Sequence, residues 1–256
     1  MAITLKKPRH IEALRAANRL VAEAFREVES AVRPGARLAD LDEMVTNFIE
    51  SHGATSLYKG YHGSTATQPP FPGTICASVN EEICHGLPDD RRLKDGDIIG
   101  VDIGLRLNGW CGDACVTYGV GHISPQAQRL LDVARECRDL GIEAAQPGAR
   151  LTDIGAAIQD HAEKHGYSVV REWGGHGVGR SLHEEPSVPH IGPAGRGPRL
   201  RPGMVFTVEP MINAGAAGCH LLSDGWTVIT NDGALSAQFE HTIAITADGP
   251  EILSQL

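Results

Sequence analysis

The 256-residue chain has no stretch approaching 18 consecutive apolar residues, so no transmembrane helix is expected. None of its six cysteines (76, 84, 111, 115, 137 and 219) forms a CxxC pair, which argues against a structural zinc ribbon or finger. Six thiols in a chain of this length are also too sparse for a disulfide scaffold, and a reducing, cytoplasmic setting fits best. There is no basic run, and the net charge is −9. Tight, electrostatically driven binding to nucleic acid is therefore not expected. The opening MAITLKKPRH carries two lysines with no apolar stretch after them, so a secretory leader is not expected either. Aromatic residues supply only 5% of the chain, but 41% is hydrophobic and 21% charged. That balance excludes global disorder and suffices for a buried core in one large domain or two small ones.

What is present is first of all a repeat. Residues 31–56 (AVRPGARLADLDEMVTNFIESHGATS) and 144–169 (AAQPGARLTDIGAAIQDHAEKHGYSV) share 10 of 26 positions at an offset of 113, where chance gives about two. RRLKDGDIIGVDI (91–103) lies over PRLRPGMVFTVEP (198–210) at an offset of 107, with Gly96 on Gly203, Val101 on Val208 and Asp102 on Glu209. A period this long excludes a short-repeat solenoid. It implies a single domain of two related halves, about 8–120 and 124–252, with a pseudo-two-fold axis and a site fed equivalently from each half.

Apolar spacing predicts helices over 8–32 (Ile11, Leu14, Val21, Phe25, Val28) and about 40–52, the latter ended by Gly53. The second half repeats the plan. Ser124-Pro125 forms an N-cap and first-turn pair for a helix to about Leu140, and another helix runs over about 152–165. Strands are expected at Ile75–Val79, Ile98–Leu105, Ala114–Val120, Ser168–Glu172, Val205–Glu209, Trp226–Thr230 and Gln238–Thr246, with a loop at Ser64–Gly73. Helices preceding clustered strands in each half make an α+β fold with a largely antiparallel sheet and helices covering it.

The chemistry lies in acids set within strands. Leu107-Asn108-Gly109 offers turn residues between two strand-like runs. A four-residue loop Arg106–Gly109 would place Asp102 directly opposite Asp113, with Cβ atoms about 4.5–5.5 Å apart; a two-residue turn at Asn108-Gly109 would make them diagonal neighbours. In either register like charges crowd, and a divalent cation between them reverses the sign. Glu209 stands in the apolar run VFTVEPM and Glu240 in AQFEHTIAI, where a buried carboxylate needs a partner. His176 lies in the glycine-rich GGHGVGR, His183 follows, His85 sits in CHGLP, and His62 in GYHG is a candidate repeat counterpart of His176. Four carboxylates with one or two imidazoles are too many for one structural zinc. They suit two neighbouring divalent ions, with Mn, Fe(II) or Co favoured and Zn allowed. Such a pair can hold a bridging hydroxide and stabilise the developing oxyanion of amide or ester hydrolysis.

The segments SVNEEICHGLPDDRRLKDGDI, VDIG…GD, GGHGVGRSLHEEP, PGMVFTVEPMIN and DGWTV…SAQFEHTI resemble the type I methionine aminopeptidases of the pita-bread metallopeptidase superfamily, from about Lys6 to Leu253. The resemblance implies a pseudo-symmetric α+β fold. It also implies five metal ligands, Asp102, Asp113, His176, Glu209 and Glu240, with Asp113 and Glu240 bridging two ions. It makes Glu209 the proton acceptor for the attacking water, His183 the group that stabilises the scissile carbonyl oxygen, and His85 a proton shuttle near the scissile amide. Tyr61, Phe71, Cys76 and Trp226 would line the pocket for the methionine side chain. The implied activity is co-translational removal of initiator methionine ahead of a small second residue, in the cytoplasm. The nascent chain is the substrate and the ribosome exit region a transient partner; no membrane is involved, and the state expected is a monomer. Three departures stand out: extra sequence at Ser64–Pro70, Leu182 where relatives often carry an aromatic, and Cys111 and Ala114 flanking Gly112-Asp113. Two other readings compete. A proline-directed peptidase of the same superfamily would ordinarily carry an N-terminal domain, for which this chain has no room. A non-catalytic binding protein on this fold would be expected to have lost metal ligands.

Overall fold

The computed structural model of the chain describes residues 2–63 and 68–255; residues 64–67 of the expected loop lie outside the described residues. Among the described residues, four helices occupy the predicted places: α1 (Pro8–Ala31), α2 (Leu38–Ser51), α3 (Pro125–Ala144) and α4 (Leu151–Lys164). Pro8 and Pro125 each open a helix, where a missing N–H costs nothing, and the Ser124 hydroxyl accepts from the Ala127 amide. The first half contributes strands β1 (Thr55–Ser56), β2 (Ile75–Val79), β3 (Glu82–Cys84), β4 (Ile98–Leu107) and β5 (Trp110–Gly119). The second contributes β6 (Ser168–Val169), β7 (Gly175–Gly177), β8 (Glu184–Val188), β9 (Val205–Val208) and β10 (Met211–Asn213). It continues with β11 (Cys219–Leu221), β12 (Val228–Thr230), β13 (Ser236–Gln238), β14 (His241–Ile245) and β15 (Pro250–Ile252).

Strand pairing is antiparallel throughout the described residues. β1, β4 and β2 form one sheet with β5 on β4, and β15-β14-β9-β7-β8 forms the other large one. The chain is thus α+β, as expected. The repeat is visible in the backbone. α2 and α4 have the same length, and the glycines before and after them match: Gly35 with Gly148 (φ 88° and 90°), Gly53 with Gly166 (φ 68° and 79°). Gly96 and Gly203 share φ 94° and 95°, and single bridges tie Arg37 to Arg92 and Arg150 to Arg199. Left-handed angles of this kind are cheap only for glycine, which is why these positions survive in both copies.

Each helix pair seals its own apolar cluster. Leu20, Val21, Val28, Leu41 and Ile49 pack with Ile75, Ile99 and Ile103, while Leu130, Val133, Ile154 and Ile158 pack with Phe206, Val208 and Ile243. Full burial of such side chains stabilises by about 1.5–3 kcal/mol each. α1 lies so close to β5 that a Cβ on Gly112 would stand 2.6 Å from the Ala17 backbone. The same approach lets Asn18, itself held by Nδ2 to the Leu14 carbonyl, accept the Asp113 amide on its Oδ1 at 3.1 Å.

Three expected strands are cut short for local reasons. Residues 226 and 227 both donate backbone amides to Asp224 Oδ1, so β12 begins only at Val228. After Val169 the pairing with β10 ends, and the Ser168–Glu172 strand is two residues long. The run Gln238–Thr246 breaks at Phe239-Glu240, where the Glu240 amide turns to donate to the Cys115 carbonyl of β5 at 2.9 Å.

Replacing Gly112 with alanine should lower stability by about 1–3 kcal/mol, the usual cost of overpacking. Denaturant unfolding should show a lower midpoint with an unchanged slope.

Candidate metal centre

The β4–β5 hairpin turns through Asn108 and Gly109 alone, at φ 50° and 78°, and pairs Leu107 with Trp110. Of the two registers the sequence allowed, this is the diagonal one. Asp113 sits opposite Gly104, and Asp102 opposite Cys115 on one side and Cys76 on the other. Glu209 follows β9 directly, His176 is the middle residue of β7, and Glu240 occupies the break between β13 and β14.

These five side chains converge. His176 Nε2 lies 3.5 Å from Asp113 Oδ2 and 3.6 Å from Glu209 Oε1. Asp113, His176 and Glu240 each offer a ligand atom within 4.8 Å of the others. Asp113, Glu209 and Glu240 are buried, and Asp102 is partly so. Burial raises the carboxyls of Asp102, Glu209 and Glu240 well above the usual carboxylate range and takes Asp113 up to about 7; the mutual repulsion of the group reinforces this at Asp102, Glu209 and Glu240. Burial pulls His176 down instead, so it stands as a neutral donor of its ring lone pair.

Hydrogen bonds hold the acids without neutralising them. Glu209 accepts from the Thr207 hydroxyl at 2.5 Å and from Gln238 Nε2 at 3.2 Å, and its amide donates to His190 Nε2 at 3.2 Å. The Tyr58 hydroxyl stands 2.5 Å from Asp102 Oδ1 and 2.7 Å from Asp113 Oδ1. One hydroxyl proton serves one carboxylate only, so the other contact gains nothing while both acids are ionised. Glu240 Oε1 is buried with no hydrogen-bond partner. An orphaned carboxylate oxygen beside three further carboxylates and one imidazole is a donor set that fits a divalent cation, which would remove both the repulsion and the missing partner.

The predicted pocket residues assemble beside this cluster. Phe71, Cys76 and Trp226 form a buried apolar group against which Tyr58 and Leu87 pack. The Phe71 and Trp226 rings meet edge-on at 5.2 Å, and Tyr61 approaches Trp226 at 6.3 Å. Cys76 brings the pocket against Asp102 through their direct strand pairing. The His183 ring lies 4.3 Å from that of His176, and its Nδ1 is 3.2 Å from the Tyr61 hydroxyl. His85, at φ 56°, meets Trp173 edge-on at 4.9 Å. Burial lowers both His85 and His183 to about 4. His62 is exposed, and it does not join the group.

Sequence reasoning missed Tyr58, Thr207, His190 and Gln238. Thr207 and Gln238 each stand two residues before a predicted ligand, a strand spacing that puts both side chains on one face and could have flagged them. Tyr58 carried no such signal.

Comparison with known proteins agrees. The profile of metallopeptidase family M24 matches residues 12–247. Methionine aminopeptidase 1 of Bacillus subtilis is 48% identical over 254 residues, covering 99% of this chain and all of that one. Methionine aminopeptidase A of Synechocystis is 51% identical, covering 98% and 97%. The crystal structure of the methionine aminopeptidase from Rickettsia prowazekii superposes with a TM-score of 0.95 at 45% identity, covering 99% of this chain and all of that chain. With near-complete coverage in both directions and the pita-bread fold in common, the chain belongs to metallopeptidase family M24 and, within it, to the methionine aminopeptidases.

Proposed function

We propose that the chain is a type I methionyl aminopeptidase, a cytoplasmic hydrolase that removes N-terminal methionine from nascent chains and peptides with a small second residue. The observation that carries this reading is the convergence of Asp113, His176, Glu209 and Glu240, with Asp102 alongside, next to the Phe71–Cys76–Trp226 pocket. We read the chain as one catalytic domain of two related halves, acting as a monomer and meeting the ribosome exit only transiently. Co, Mn, Fe(II) or Zn would be held by the five ligands in two neighbouring places, with Asp113 and Glu240 shared between them.

Bound divalent ions supply Lewis acidity to the attacking water and to the carbonyl oxygen. The rest falls to the chain. Glu209, fixed at both oxygens by Thr207 and Gln238, takes the proton of the attacking water. With the Tyr61 hydroxyl donating to Nδ1, His183 keeps its proton on Nε2 and donates it as a hydrogen bond to the developing oxyanion. Its depressed pKa makes this a neutral donor throughout the physiological range. The proton that Glu209 takes up goes on to the leaving amide nitrogen, with His85 as the relay that gives up one ring proton as it gains another. The apolar ring and thiol walls receive the unbranched thioether side chain.

A reconstitution assay with Met-Ala-Ser, Met-Gly and Xaa-Pro peptides tests the assignment. Turnover of the Met peptides after metal is restored is the expected result, and cleavage of Xaa-Pro alone would refute it. Asp113→Asn and Glu240→Gln should each weaken metal binding by at least the ~10–100-fold typical of losing even an outer partner, with activity falling in step; elemental analysis after dialysis checks this. His183→Ala should leave metal content intact and lower kcat by about 10²–10³-fold, the usual loss on removing an oxyanion donor. Because burial raises the cluster's carboxyls, the metal-free site holds protons near neutrality that a cation must expel. Calorimetric titration at about pH 6.5, just below the raised carboxyl value, in buffers of different ionisation enthalpy should show protons released, fewer as pH climbs past about 7.

A further inference from the structure

Among the described residues, one group of three ligand side chains outside the central cluster also brings its donor atoms within 4.8 Å of one another: Glu136 on α3 with His161 and His165 at the end of α4. Glu136 and His165 are exposed, and His161 is partly buried. His161 Nε2 lies 2.7 Å from Glu136 Oε2. The His161 and His165 rings, one helical turn apart, meet at 4.3 Å. His165 Nδ1 is 2.9 Å from the His161 carbonyl oxygen. A ring nitrogen that bonds a carbonyl must carry the proton, so Nε2 of the neutral His165 ring presents a lone pair. The backbone bond that commonly orients a metal-binding imidazole is already made.

The repeat supplies an internal comparison. At the offset of 113, His161 and His165 fall on Phe48 and His52. His52 caps α2 as His165 caps α4, with its Nδ1 2.8 Å from the Phe48 carbonyl oxygen and its ring 4.4 Å from the Phe48 ring. Ring stacking and capping therefore account for the second histidine of the pair. They do not require the first, because a phenyl ring does the same work in α2. What His161 adds is a second nitrogen donor beside a carboxylate from the adjacent helix. Electrostatics point the same way. The C-terminus of a helix carries negative partial charge and favours a cation. The neighbouring cationic side chains are engaged elsewhere: Lys164 pairs with Asp160 at 2.6 Å, and Arg135 pairs with Asp132 at 3.5 Å, its guanidinium 4.7 Å over the Phe239 ring.

We propose that Glu136, His161 and His165 form a metal site of their own, separate from the central cluster, that takes a zinc-class divalent ion. Two imidazoles and one carboxylate select Zn(II) over Mg(II) or Ca(II), which prefer oxygen alone. Three protein ligands leave one position of the ion to water. The ion fastens the last turn of α4 to α3.

Metal-free full-length protein dialysed against about 10 µM free Zn(II), which fills only sites with a Kd near or below that value, tests the proposal by elemental analysis. The parent should hold one more ion per chain than His161→Phe, the side chain the first half carries at this place. Glu136→Gln should weaken that ion at least about 10-fold. In the parent, the imidazole proton–nitrogen NMR signals of His161 and His165 should shift with Zn(II) and stay put with Mg(II). Equal uptake by the parent and a folded His161→Phe overturns the proposal, as do imidazole signals that ignore Zn(II) or answer Mg(II) equally. Should His161→Phe not fold, the parent's imidazole signals decide alone. A parent that binds one ion, lost in His161→Phe, upholds this site and counts against the central metal centre instead.

Discussion

Four carboxyl groups in one poorly solvated space are the constraint to which the rest of this fold answers. At an effective dielectric of about 20, two like charges 4 Å apart repel by about 4 kcal/mol, and here each acid has several such neighbours. Protons can relieve the repulsion, as the raised affinities of the acids indicate, or a cation can. Either way the surrounding backbone must hold the carboxylates together against their tendency to separate, and this accounts for the density of local fastening around them.

That fastening spans the two halves. β5 carries Asp113, and β13 and β14 flank Glu240. Thr117 Oγ1 donates to the Gln238 carbonyl at 2.6 Å and accepts the Gln238 amide at 3.1 Å; the Thr242 hydroxyl donates to the Asp113 carbonyl at 2.8 Å. The Glu240 amide reaches the Cys115 carbonyl. Asn18 from α1 then locks the Asp113 amide from behind. An acid from the first half of the sequence and one from the second thus sit on one hydrogen-bonded frame. Threonine suits these positions because its hydroxyl is held in a few rotamers by β-branching and can both donate and accept.

The helices, the repeat and the five acid and histidine positions were legible because each leaves a local or periodic trace: apolar spacing in α1, glycines at matched offsets, acids inside otherwise apolar strands. The hairpin register was undecided at the sequence level, since Leu107-Asn108-Gly109 supports either loop length; only the left-handed pair at 108 and 109 settles it. The glycine-rich β7 was invisible because GHG has no β propensity and pairs only through its neighbours β8 and β9. The break at Glu240 was hidden for a different reason. It is imposed by a hydrogen bond to a strand more than a hundred residues away, and no local preference announces it. Tyr58 belongs to the same class. Its reach to Asp102 depends on Gly104 being bare, a pairing that becomes visible only once β1 is laid beside β4.

The imidazoles complete the electrostatic picture. A buried acid cluster could in principle be balanced from within by arginine or lysine, but among the described residues no lysine or arginine forms an ion pair with Asp102, Asp113, Glu209 or Glu240. The histidines nearby do not substitute. Burial lowers His176, and it takes His85 and His183 to about 4 and His190 to about 3, so they enter as neutral donors and acceptors. The protein therefore leaves the compensating positive charge to something that arrives from solution. A group that comes and goes with its own charge stands next to a wall of Phe71, Cys76 and Trp226 that carries none. On the proposed reading the site's work would divide along that line, a cation meeting the scissile bond and the apolar wall meeting the side chain.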